Sequence, residues 1–475
     1  MNFDRRTFVK GALGASGAVI LGRSLEPRAS TPMELASYSV PNVALPNPGA
    51  SGIEHVIVVM MENRSFDHFL GWLPGADGRQ GGLFYRDPNG KRHRTFHQRQ
   101  LNGCGFNDPD HSYEGGRIQY NGGKMDGFLT DTANDSYAIS YYRHDDRPFM
   151  GSLARHYTSC DRYFCSILGP TFPNRIFQHA GQTDRLSNTF TTSTLPTIWD
   201  QLNQSGGPTG RYYYSDLPIV ALWGAKYTSI AARIPQFLID AQAGTLPNVS
   251  FVDPGFVGEG NGVSNDDHPL ADIRAGDAFL SQIFHAVASG PGWGNTVLII
   301  NYDEWGGFFD HVPPSRVTAG VPIGASPSTG IDQDLDANGN VLIGLRVPCI
   351  VASPFTNVEA GSAPVAHGFY DHTSVLKLIE WRWGLKAMTQ RDNSTASTDP
   401  GNLATLLNFT TPSSKVPPLL PTLGPFVGAA CPVTPPAATL QADVVGVDHS
   451  GTVGVSAERD TWIGLQQSGL VDNWA

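Results

Sequence analysis

The stretch that decides the fold runs from Ile53 to Gly71 and reads IEHVIVVMMENRSFDHFLG. Its first half, His55 to Met61, is an apolar run rich in β-branched residues, which predicts a fully buried strand. The run breaks at Glu62 and Asn63, two oxygen-bearing side chains at the carboxyl end of that strand. Open α/β sheets keep their binding sites at this edge. Ser65 can cap a following helix, so the turn between strand and helix is predicted to face a crevice.

A second apolar run, Asn295 to Tyr302, also ends in carboxylates, Asp303 and Glu304. If both runs are parallel strands of one sheet, the two polar pairs lie at the same edge. Carboxylate and amide oxygens are the ligands that a hard divalent cation requires. For either pair alone, a helix cap or an ordinary exposed turn remains an equal alternative, and the second pair strengthens the metal-site hypothesis.

The rest of the chain alternates short apolar strands with helical periodicity. This alternation predicts an α/β fold, with a mostly parallel central sheet, helices on both faces and loop-rich insertions. Residues Pro74 to Ser140 show little periodicity and are expected to be loop-rich. Further helices are expected at Arg147–Tyr157, Ile176–Ala180, Leu195–Gln204, Ile234–Ala243, Leu270–Ala288 and Thr373–Trp383, and further strands at Arg162–Leu168, Arg211–Ser215, Pro247–Asp253 and Val347–Ala352.

Composition limits the possible functions. The chain has 475 residues, enough for one large α/β domain with additions or for two ordinary domains. Its formal net charge of -11 argues against nucleic acid as a partner, because phosphate backbones are bound by clustered Lys and Arg. The 5 cysteines are too few for a disulfide scaffold and lack the spacing of a zinc site, although one or two bridges remain possible.

The N-terminus resembles a twin-arginine export signal. Arg5 and Arg6, followed by Phe8 and Lys10, precede a short apolar segment of small residues, Gly11 to Gly22. The alternative is an ordinary basic N-terminus. The export hypothesis gives a signal at 1–30, an extended lead-in at 31–51, a catalytic domain at 52–410 and a Pro/Ala-rich extension at 411–475. The mature chain is then expected outside the cytoplasm, with the twin-arginine machinery as a partner and no transmembrane segment.

Thr171 is the candidate nucleophile. It follows Gly169-Pro170 and precedes Pro173, a residue favoured in the first turn of a helix, so its hydroxyl is expected at a helix N-terminus. The dipole and the backbone N–H groups of a helix start favour a bound phosphate. A plain N-cap is the alternative for Thr171. Arg175, in the same stretch, is expected either to hold phosphoryl oxygens or to pair with a structural acid.

Four histidines follow acidic residues in predicted turns: His111, His268, His311 and His372. A carboxylate neighbour can orient an imidazole, which can then donate to a phosphoryl oxygen or protonate a leaving alcohol. Any one of the four can equally be a loop histidine. His268 and His311 are the preferred candidates.

Together these motifs are specific enough to indicate a protein family. ENRSFDHFLG, GPTFPNR, DDHP and YDEWGGFFDHVPP resemble the successive signatures of a bacterial and plant phosphoesterase family. That family includes non-specific phospholipases C and a periplasmic acid phosphatase, within the alkaline phosphatase superfamily. The resemblance runs in order from Ile53 to Gly384, and the tail after Thr410 lies outside it.

The resemblance implies an alkaline-phosphatase-like fold and specific roles for the motif residues. It makes Thr171 the residue that becomes phosphorylated, and His268 and His311 active-site donors, with His111 and His372 in similar contexts. It makes four side chains the ligands of a divalent metal ion, whether Ca, Mg, Mn or Zn: Glu62, Asn63, Asp303 and Glu304. The implied chemistry is a metal-assisted double displacement through a phospho-threonine.

Three functions are therefore considered. The first is an exported phospholipase C that releases diacylglycerol from a phosphatidylcholine-like phospholipid. The second is a broad acid phosphatase that hydrolyses small phosphoesters with the same residues. The third is a catalytically silent binding protein on this fold, against which the complete ligand set and Thr171 both weigh.

Overall fold

The computed structural model describes Tyr38 and residues 43–204, 206–332, 334–356, 365–418, 420–432 and 461–474. Residues Leu35 to Ala475 form one compact unit, to which all of the described residues belong. The predicted export signal at 1–30 lies outside the described residues, as does most of the lead-in at 31–51.

The secondary structure follows the alternation seen in the sequence. The strands are β1 (His55–Met61), β2 (Phe84–Arg86), β3 (Arg92–Arg94), β4 (Phe96–His97), β5 (Ser140–Tyr141), β6 (Thr158–Cys160), β7 (Tyr163–Phe164), β8 (Gly210–Tyr214), β9 (Ala231–Arg233), β10 (Val249–Asp253), β11 (Thr296–Tyr302), β12 (Arg316–Thr318), β13 (Asn340–Leu342), β14 (Cys349–Ala352), β15 (Val365–Ala366) and β16 (Tyr370–Asp371). The α-helices are α1 (Phe66–Leu70), α2 (Tyr113–Tyr120), α3 (Pro148–His156), α4 (Thr171–Ala180), α5 (Ile234–Ala243), α6 (Ile273–Ala288), α7 (Thr373–Trp383), α8 (Gln390–Asn393) and α9 (Thr461–Gln467). Short 3₁₀ segments include Ile198–Asp200, Ile219–Ile230 and Glu259–Asn261.

The central sheet has 8 strands in the order β15-β6-β14-β11-β1-β10-β8-β9. Strand β1 pairs in parallel with both β11 and β10, and β8 continues the parallel run to β9. Only β14 runs against its neighbours β11 and β6 in this sheet. Helices α3, α5 and α6 pack together, as do α4, α7 and α8. This arrangement confirms the predicted α/β fold with a mostly parallel sheet.

The middle strands are buried along their whole length, as their apolar runs predict. Every residue of β11 is buried, and in β1 only His55 is partly exposed. Strands covered on both faces have no solvated side to mark with polar residues, and their sequences are therefore continuous apolar runs rather than alternating ones. The buried strands make a rigid base for the loops at their carboxyl ends.

The predicted helix at Leu195–Gln204 is wrong. Only the 3₁₀ segment Ile198–Asp200 forms there, with reciprocal capping between Thr197 and Asp200. The Thr197 and Tyr227 hydroxyls lie 2.6 Å apart, and Lys226 forms an ion pair with Asp200. Because distant residues hold both capping side chains, the turn does not propagate into a helix. Other boundaries also differ, most of all at two elements: the strand expected at Arg162–Leu168 is limited to β7, and α4 begins at Thr171 rather than Ile176.

Described parts of the predicted C-terminal extension contact the rest of the α/β unit: Trp293 donates to the Ser414 carbonyl at 3.0 Å, and Tyr214 donates to the Trp474 carbonyl at 2.9 Å. Cys431 forms a disulfide with Cys104. Cys160, Cys165 and Cys349 are buried free thiols. None of the described helices has the length and apolar character needed to cross a membrane.

Candidate active site

The two predicted acidic pairs lie together because β1 and β11 are in register. Met61 is opposite Tyr302, so the residues that follow, Glu62 and Asp303, leave the sheet at the same level. The backbone N–H of Asp303 donates to the Met61 carbonyl at 3.2 Å. The backbone N–H of Asn63 in turn donates to Oδ1 of Asp303 at 3.1 Å. The strand ends therefore build one polar cluster from two distant parts of the sequence.

Asn63 carries the clearest signal for a missing ligand partner. Its φ of 62° lies in the left-handed region, which non-glycine residues seldom adopt. Its side chain is fully buried, yet neither amide atom has a hydrogen-bond partner in the described part of the chain. An unpaired buried amide is costly, so such a group calls for an explanation. A bound cation that accepts the Oδ1 lone pair supplies one.

The turn after β11 is shaped to pass close to Asn63. Gly306 has a φ of 63°, and a Cβ added there would lie 2.1 Å from the Asn63 carbonyl oxygen. Only glycine fits that approach. The Gly306 N–H donates to Oε2 of Glu304, whose side chain is buried. The WGG part of the motif thus serves to bring the Glu304 turn against the Asn63 turn.

Arg175 pairs with acidic side chains, one of the two roles that the sequence left open for it. Its guanidinium is buried, and its Nε donates to Oδ2 of Asp303 at 2.8 Å. It also lies 3.6 Å from Oε2 of Glu62 and 3.4 Å from Oδ1 of Asp253. Its remaining donors reach the carbonyls of Met60 and Met61. Arg175 therefore positions the acidic side chains at the sheet edge.

Thr171 is the first residue of α4, in agreement with the predicted helix N-terminus. Its hydroxyl donates to Oε1 of Glu62 at 3.1 Å. The next backbone N–H, that of Phe172, donates to the Asn188 side chain at 2.8 Å. The Phe172 N–H was expected to be available for a phosphate at the helix start. In the structure it is already bonded to the Asn188 side chain. The dipole of the helix still points at the Thr171 hydroxyl.

Two further acids join this cluster. Glu62, Glu259 and Asp266 each offer a carboxylate oxygen, and these oxygens lie within 4.8 Å of one another. Glu259 lies in the 3₁₀ segment between Gly258 and Gly262, whose φ angles are 89° and 85°. The sequence analysis missed Glu259, although glycines on both sides of an acid are a signal for a tight turn that presents it.

The buried carboxylates outnumber the nearby positive charge. Burial, reinforced by Asp303, raises the pKa of Glu62 well above its ordinary value in spite of Arg175. Burial likewise raises the pKa of Glu259 and Asp303, and it raises the pKa of Asp266 to about 7. Groups in this state hold protons or require a cation. The oxygen ligands and the unpaired Asn63 amide are compatible with a divalent metal site.

Two of the predicted histidines border this cluster. His268 and His111 are buried, with their ring centroids 6.3 Å apart. Nε2 of His268 lies 3.4 Å from a carboxylate oxygen of Asp108. Nδ1 of His111 lies 2.9 Å from the Pro109 carbonyl; since a carbonyl only accepts, Nδ1 carries the proton there. Asp108 also acts electrostatically on Glu259, which connects the histidines with the acids.

The other two histidines lie elsewhere. Nδ1 of His311 is 2.5 Å from Oδ2 of Asp67, and its Nε2 is 3.3 Å from Asp77. Arg346 joins Asp67 in that ion-pair network. The Thr171 cluster is defined here as Thr171 with the acids Glu62, Asp303, Glu259 and Asp266. Among the described residues, no hydrogen bond or ion pair links His311 with this cluster. His372 is buried and donates from Nε2 to the Tyr302 carbonyl at 3.0 Å, and burial lowers its pKa to about 4.

Residues 461–474 are named here the C-terminal segment. The segment contacts the Thr171 cluster through Trp462. Nε1 of Trp462 donates to Oε1 of Glu62 at 3.4 Å. The indole stacks on Phe256, with ring centroids 3.7 Å apart and an interplanar angle of 5°. Asn188 donates to the Thr461 hydroxyl at 3.2 Å, and Tyr214 donates to the Trp474 carbonyl at 2.9 Å. The sequence analysis placed none of these residues in the site.

An α/β sheet whose strand ends present buried acids beside a helix-start threonine has the groups that a metal ion and a phosphoryl group require. The family model described as Phosphoesterase family matches residues 53–386. The chain belongs to this family and is a hydrolase of phosphate esters. The resemblance drawn from the motifs is confirmed.

Several relatives carry informative names. "Non-specific phospholipase C1" of Arabidopsis thaliana is 30% identical over 395 aligned residues, covering 75% of this chain and 72% of the relative. "Phospholipase C A" of Mycobacterium tuberculosis is 30% identical and covers 89% of each chain. A "Non-hemolytic phospholipase C" of Pseudomonas aeruginosa is 27% identical, covering 88% of this chain and 65% of the relative.

Solved structures are similar over comparable lengths. An alkaline phosphatase superfamily protein from Vibrio parahaemolyticus covers 77% of this chain with 12% identity and a TM-score of 0.34. A lipoteichoic acid synthase from Listeria monocytogenes covers 91% with 9% identity and a TM-score of 0.38. The architecture assigned to this chain rests on its own sheet rather than on these matches.

Proposed function

We propose that this chain is a metal-dependent phospholipase C that cleaves a phosphatidylcholine-like phosphodiester through a phospho-threonine at Thr171. The observation that carries the proposal is the 3.1 Å hydrogen bond from the Thr171 hydroxyl to Glu62 at the start of α4. The Thr171 hydroxyl lies between the start of a helix and a carboxylate cluster, which supports its proposed role as the nucleophile. The relatives named phospholipase C support the choice of a phospholipid as substrate.

Four side chains would hold the metal: Glu62, Asn63, Asp303 and Glu304. All four are buried at the same sheet edge, and the amide of Asn63 lacks any other partner among the described residues. When bound, a divalent cation polarises phosphoryl oxygen and favours the alkoxide form of a nearby hydroxyl. Arg175 pairs with Glu62 and Asp303 and so holds both carboxylates in place.

The proposed reaction has two transfers on the chain's own residues. The Thr171 oxygen attacks phosphorus, the bond from phosphorus to the glycerol oxygen breaks, and Glu62 accepts the hydroxyl proton. The departing alkoxide takes a proton from His268 or His111 and leaves as diacylglycerol. Water then attacks the phosphorus of the phospho-threonine and gives its proton to the histidine that protonated the alcohol. The bond from phosphorus to the Thr171 oxygen breaks, Glu62 returns the proton to that oxygen, and the phosphorylated headgroup leaves.

We also propose export through the twin-arginine pathway, on the basis of the N-terminal sequence. The Cys104–Cys431 disulfide supports an oxidising destination, because such bonds persist in exported proteins and are rare in reducing cytosol. Catalysis is then expected in the periplasm, the cell envelope or the medium.

The test is a comparison of two chromogenic substrates with purified protein, each with and without EDTA. A phospholipase C prefers p-nitrophenyl phosphorylcholine, a diester, and loses turnover with EDTA until a divalent ion is restored. Preference for p-nitrophenyl phosphate instead identifies an acid phosphatase that uses the same site. Silence of both the wild type and a Trp462→Ala variant on both substrates, at every metal tried, rejects the phospholipase proposal and leaves a binding protein on this fold.

A further inference from the structure

We propose that the C-terminal segment, residues 461–474, is an autoinhibitory plug that occupies the place of the substrate's lipid part and must leave before a phosphoester reaches Thr171. The inference rests on the proposed function of the same site. It goes further in two respects, since it names a closed resting state and an apolar subsite beside the nucleophile.

The plug acts on the reacting groups themselves. Trp462 donates to Oε1 of Glu62, the same oxygen that accepts the Thr171 hydroxyl. The indole is 1% exposed, and it fills the space between Glu62 and the ring of Phe256. The guanidinium carbon of Arg175 lies 5.8 Å from the centre of the same indole. A substrate that approaches Glu62 from this side meets the indole first.

The site beneath the plug is closed. Thr171 is 2% exposed, Glu62 is 1% exposed and Asp303 is 0% exposed. In-line attack requires a phosphorus atom about 3–3.5 Å from the Thr171 oxygen, with room for its other oxygens. A side chain this buried offers no such room, so turnover requires an arrangement in which Trp462 has moved.

The plug is held by few side chains. Within 461–474 the buried residues are Thr461, Trp462, Leu465 and Trp474, three more are partly buried, and the other seven are exposed. Its polar anchors are three hydrogen bonds, from Asn188 to Thr461, from Tyr214 to the Trp474 carbonyl and from Trp462 to Glu62. A segment with so small a buried face belongs to the low-stability end of a structure, where local opening is easiest.

The surface under the plug is aromatic, and this identifies its other occupant. Trp462 contacts Phe256 by stacking and Phe172 edge to face, with the Phe172 centroid at 5.5 Å. Phe190 lies against the same helix, since a Cβ added to Gly464 would lie 2.3 Å from it. Apolar walls beside a phosphoryl site bind the acyl-glycerol part of a phospholipid by apolar burial. Trp462 thus stands in for the lipid.

The first experiment compares Trp462→Ala with Ile463→Ala in the full chain. Ile463 is 42% exposed on the same helix, so its substitution controls for changes in α9 that do not reach the site. Loss of the stacked indole and its hydrogen bond shifts the closed state toward the open one, and kcat/KM for p-nitrophenyl phosphate or p-nitrophenyl phosphorylcholine is expected to rise roughly 10-fold. An unchanged kcat/KM, or a lower value in a variant with wild-type circular dichroism, overturns the plug. The Ile463→Ala variant is expected to match wild type.

The second experiment follows the plug without turnover. Hydrogen exchange of residues 461–474 is measured in Thr171→Ala with and without dihexanoylphosphatidylcholine, with binding checked by calorimetry. Bound lipid together with faster exchange in the segment supports displacement. Bound lipid with unchanged or slower exchange shows that the segment is a permanent wall of the site and rejects the proposal. Absence of lipid binding rejects the phospholipid substrate, and the Trp462 comparison then decides the plug by itself.

Discussion

At the scale of single residues, Thr171 combines a nucleophile's position with a carboxylate partner. Thr171→Ala removes the attacking oxygen, so kcat is expected to fall by at least ~10⁴-fold. The fold and the metal content should be retained, because within the described part of the chain the substitution removes a single side-chain hydrogen bond, the one to Glu62. Steady-state kinetics and thermal unfolding measure both. Thr189→Ala, at an exposed position near the same helix, should behave as wild type; appreciable turnover by Thr171→Ala excludes Thr171 as nucleophile.

Asn63 gives a second prediction, one that separates ligand loss from backbone strain. Asn63→Ala deletes the unpaired amide, and the metal is expected to bind at least ~10-fold more weakly. Metal content after dialysis against limiting Mn²⁺ measures this change. Asn203→Ala is the matched control, because Asn203 has a φ of 61° but lies at an exposed turn. Equal metal retention in both variants shows that Asn63 is not a ligand.

The sequence anticipated the residues that local pattern specifies and missed those that tertiary contact brings in. Glu62 and Asp303 were found because each ends an apolar strand, and register then joins them. Glu259 and Trp462 sit in segments without periodicity; the glycines around Glu259 signal a turn, but nothing local shows that either residue approaches Glu62. His311, like His268, directly follows an acid in the sequence. In the structure, however, its ring pairs with the distant Asp67, which belongs to another ion-pair network. Its expected role as a donor stays untested and has no contact in its favour.

At the scale of an element, α7 (Thr373–Trp383) carries a buried acid whose titration should affect stability. Burial, reinforced by Asp392 and opposed by Lys377, raises the pKa of Glu380 to about 10. A raised folded-state pKa means that its contribution to stability is full below about pH 4.5 and is lost as pH rises toward 10. Glu380→Gln keeps the neutral form at every pH. The variant is expected to be more stable than wild type by roughly 1–2 kcal/mol at pH 8.

Urea unfolding at pH 4.5 and pH 8 checks this prediction. The advantage of Glu380→Gln should nearly vanish at the lower pH, where Glu380 of wild type is protonated in the folded state and about half protonated in the unfolded state. Glu54→Gln, at an exposed position, should show no such pH-dependent difference. A variant that is less stable than wild type at pH 8 contradicts a neutral buried Glu380.

Most of the long elements were predictable, because apolar periodicity sets them directly. The runs that became β1, β11, α5 and α7 were assigned with nearly their observed bounds. The failure at Leu195–Gln204 has a tertiary cause, since Tyr227 and Lys226 hold the two capping side chains of a 3₁₀ turn. These partners are too far away in the sequence to appear in the short stretch of residues from which a helical period is recognised.

At the scale of the whole molecule, the Cys104–Cys431 disulfide closes a loop across a sequence separation of 327 residues. It restricts the unfolded chain, so the Cys104→Ser/Cys431→Ser double variant is expected to lose about 2–5 kcal/mol of unfolding free energy. Denaturant unfolding of the oxidised wild type and the double variant measures the loss. Reductant should lower the stability of wild type and leave the double variant unchanged. Equal stability of the two oxidised proteins shows that the bond is dispensable.

The same disulfide determines how the C-terminal segment can return to the site. Roughly 30 residues separate Cys431 from Thr461, so Trp462 remains within at most ~100 Å of a fixed anchor on the catalytic domain. Rebinding is therefore an intramolecular step, whose effective concentration is set by the length of chain between the anchor and Trp462. Closure does not depend on protein concentration. A free peptide of residues 461–474 would have to approach that concentration to inhibit an enzyme that lacks its own segment.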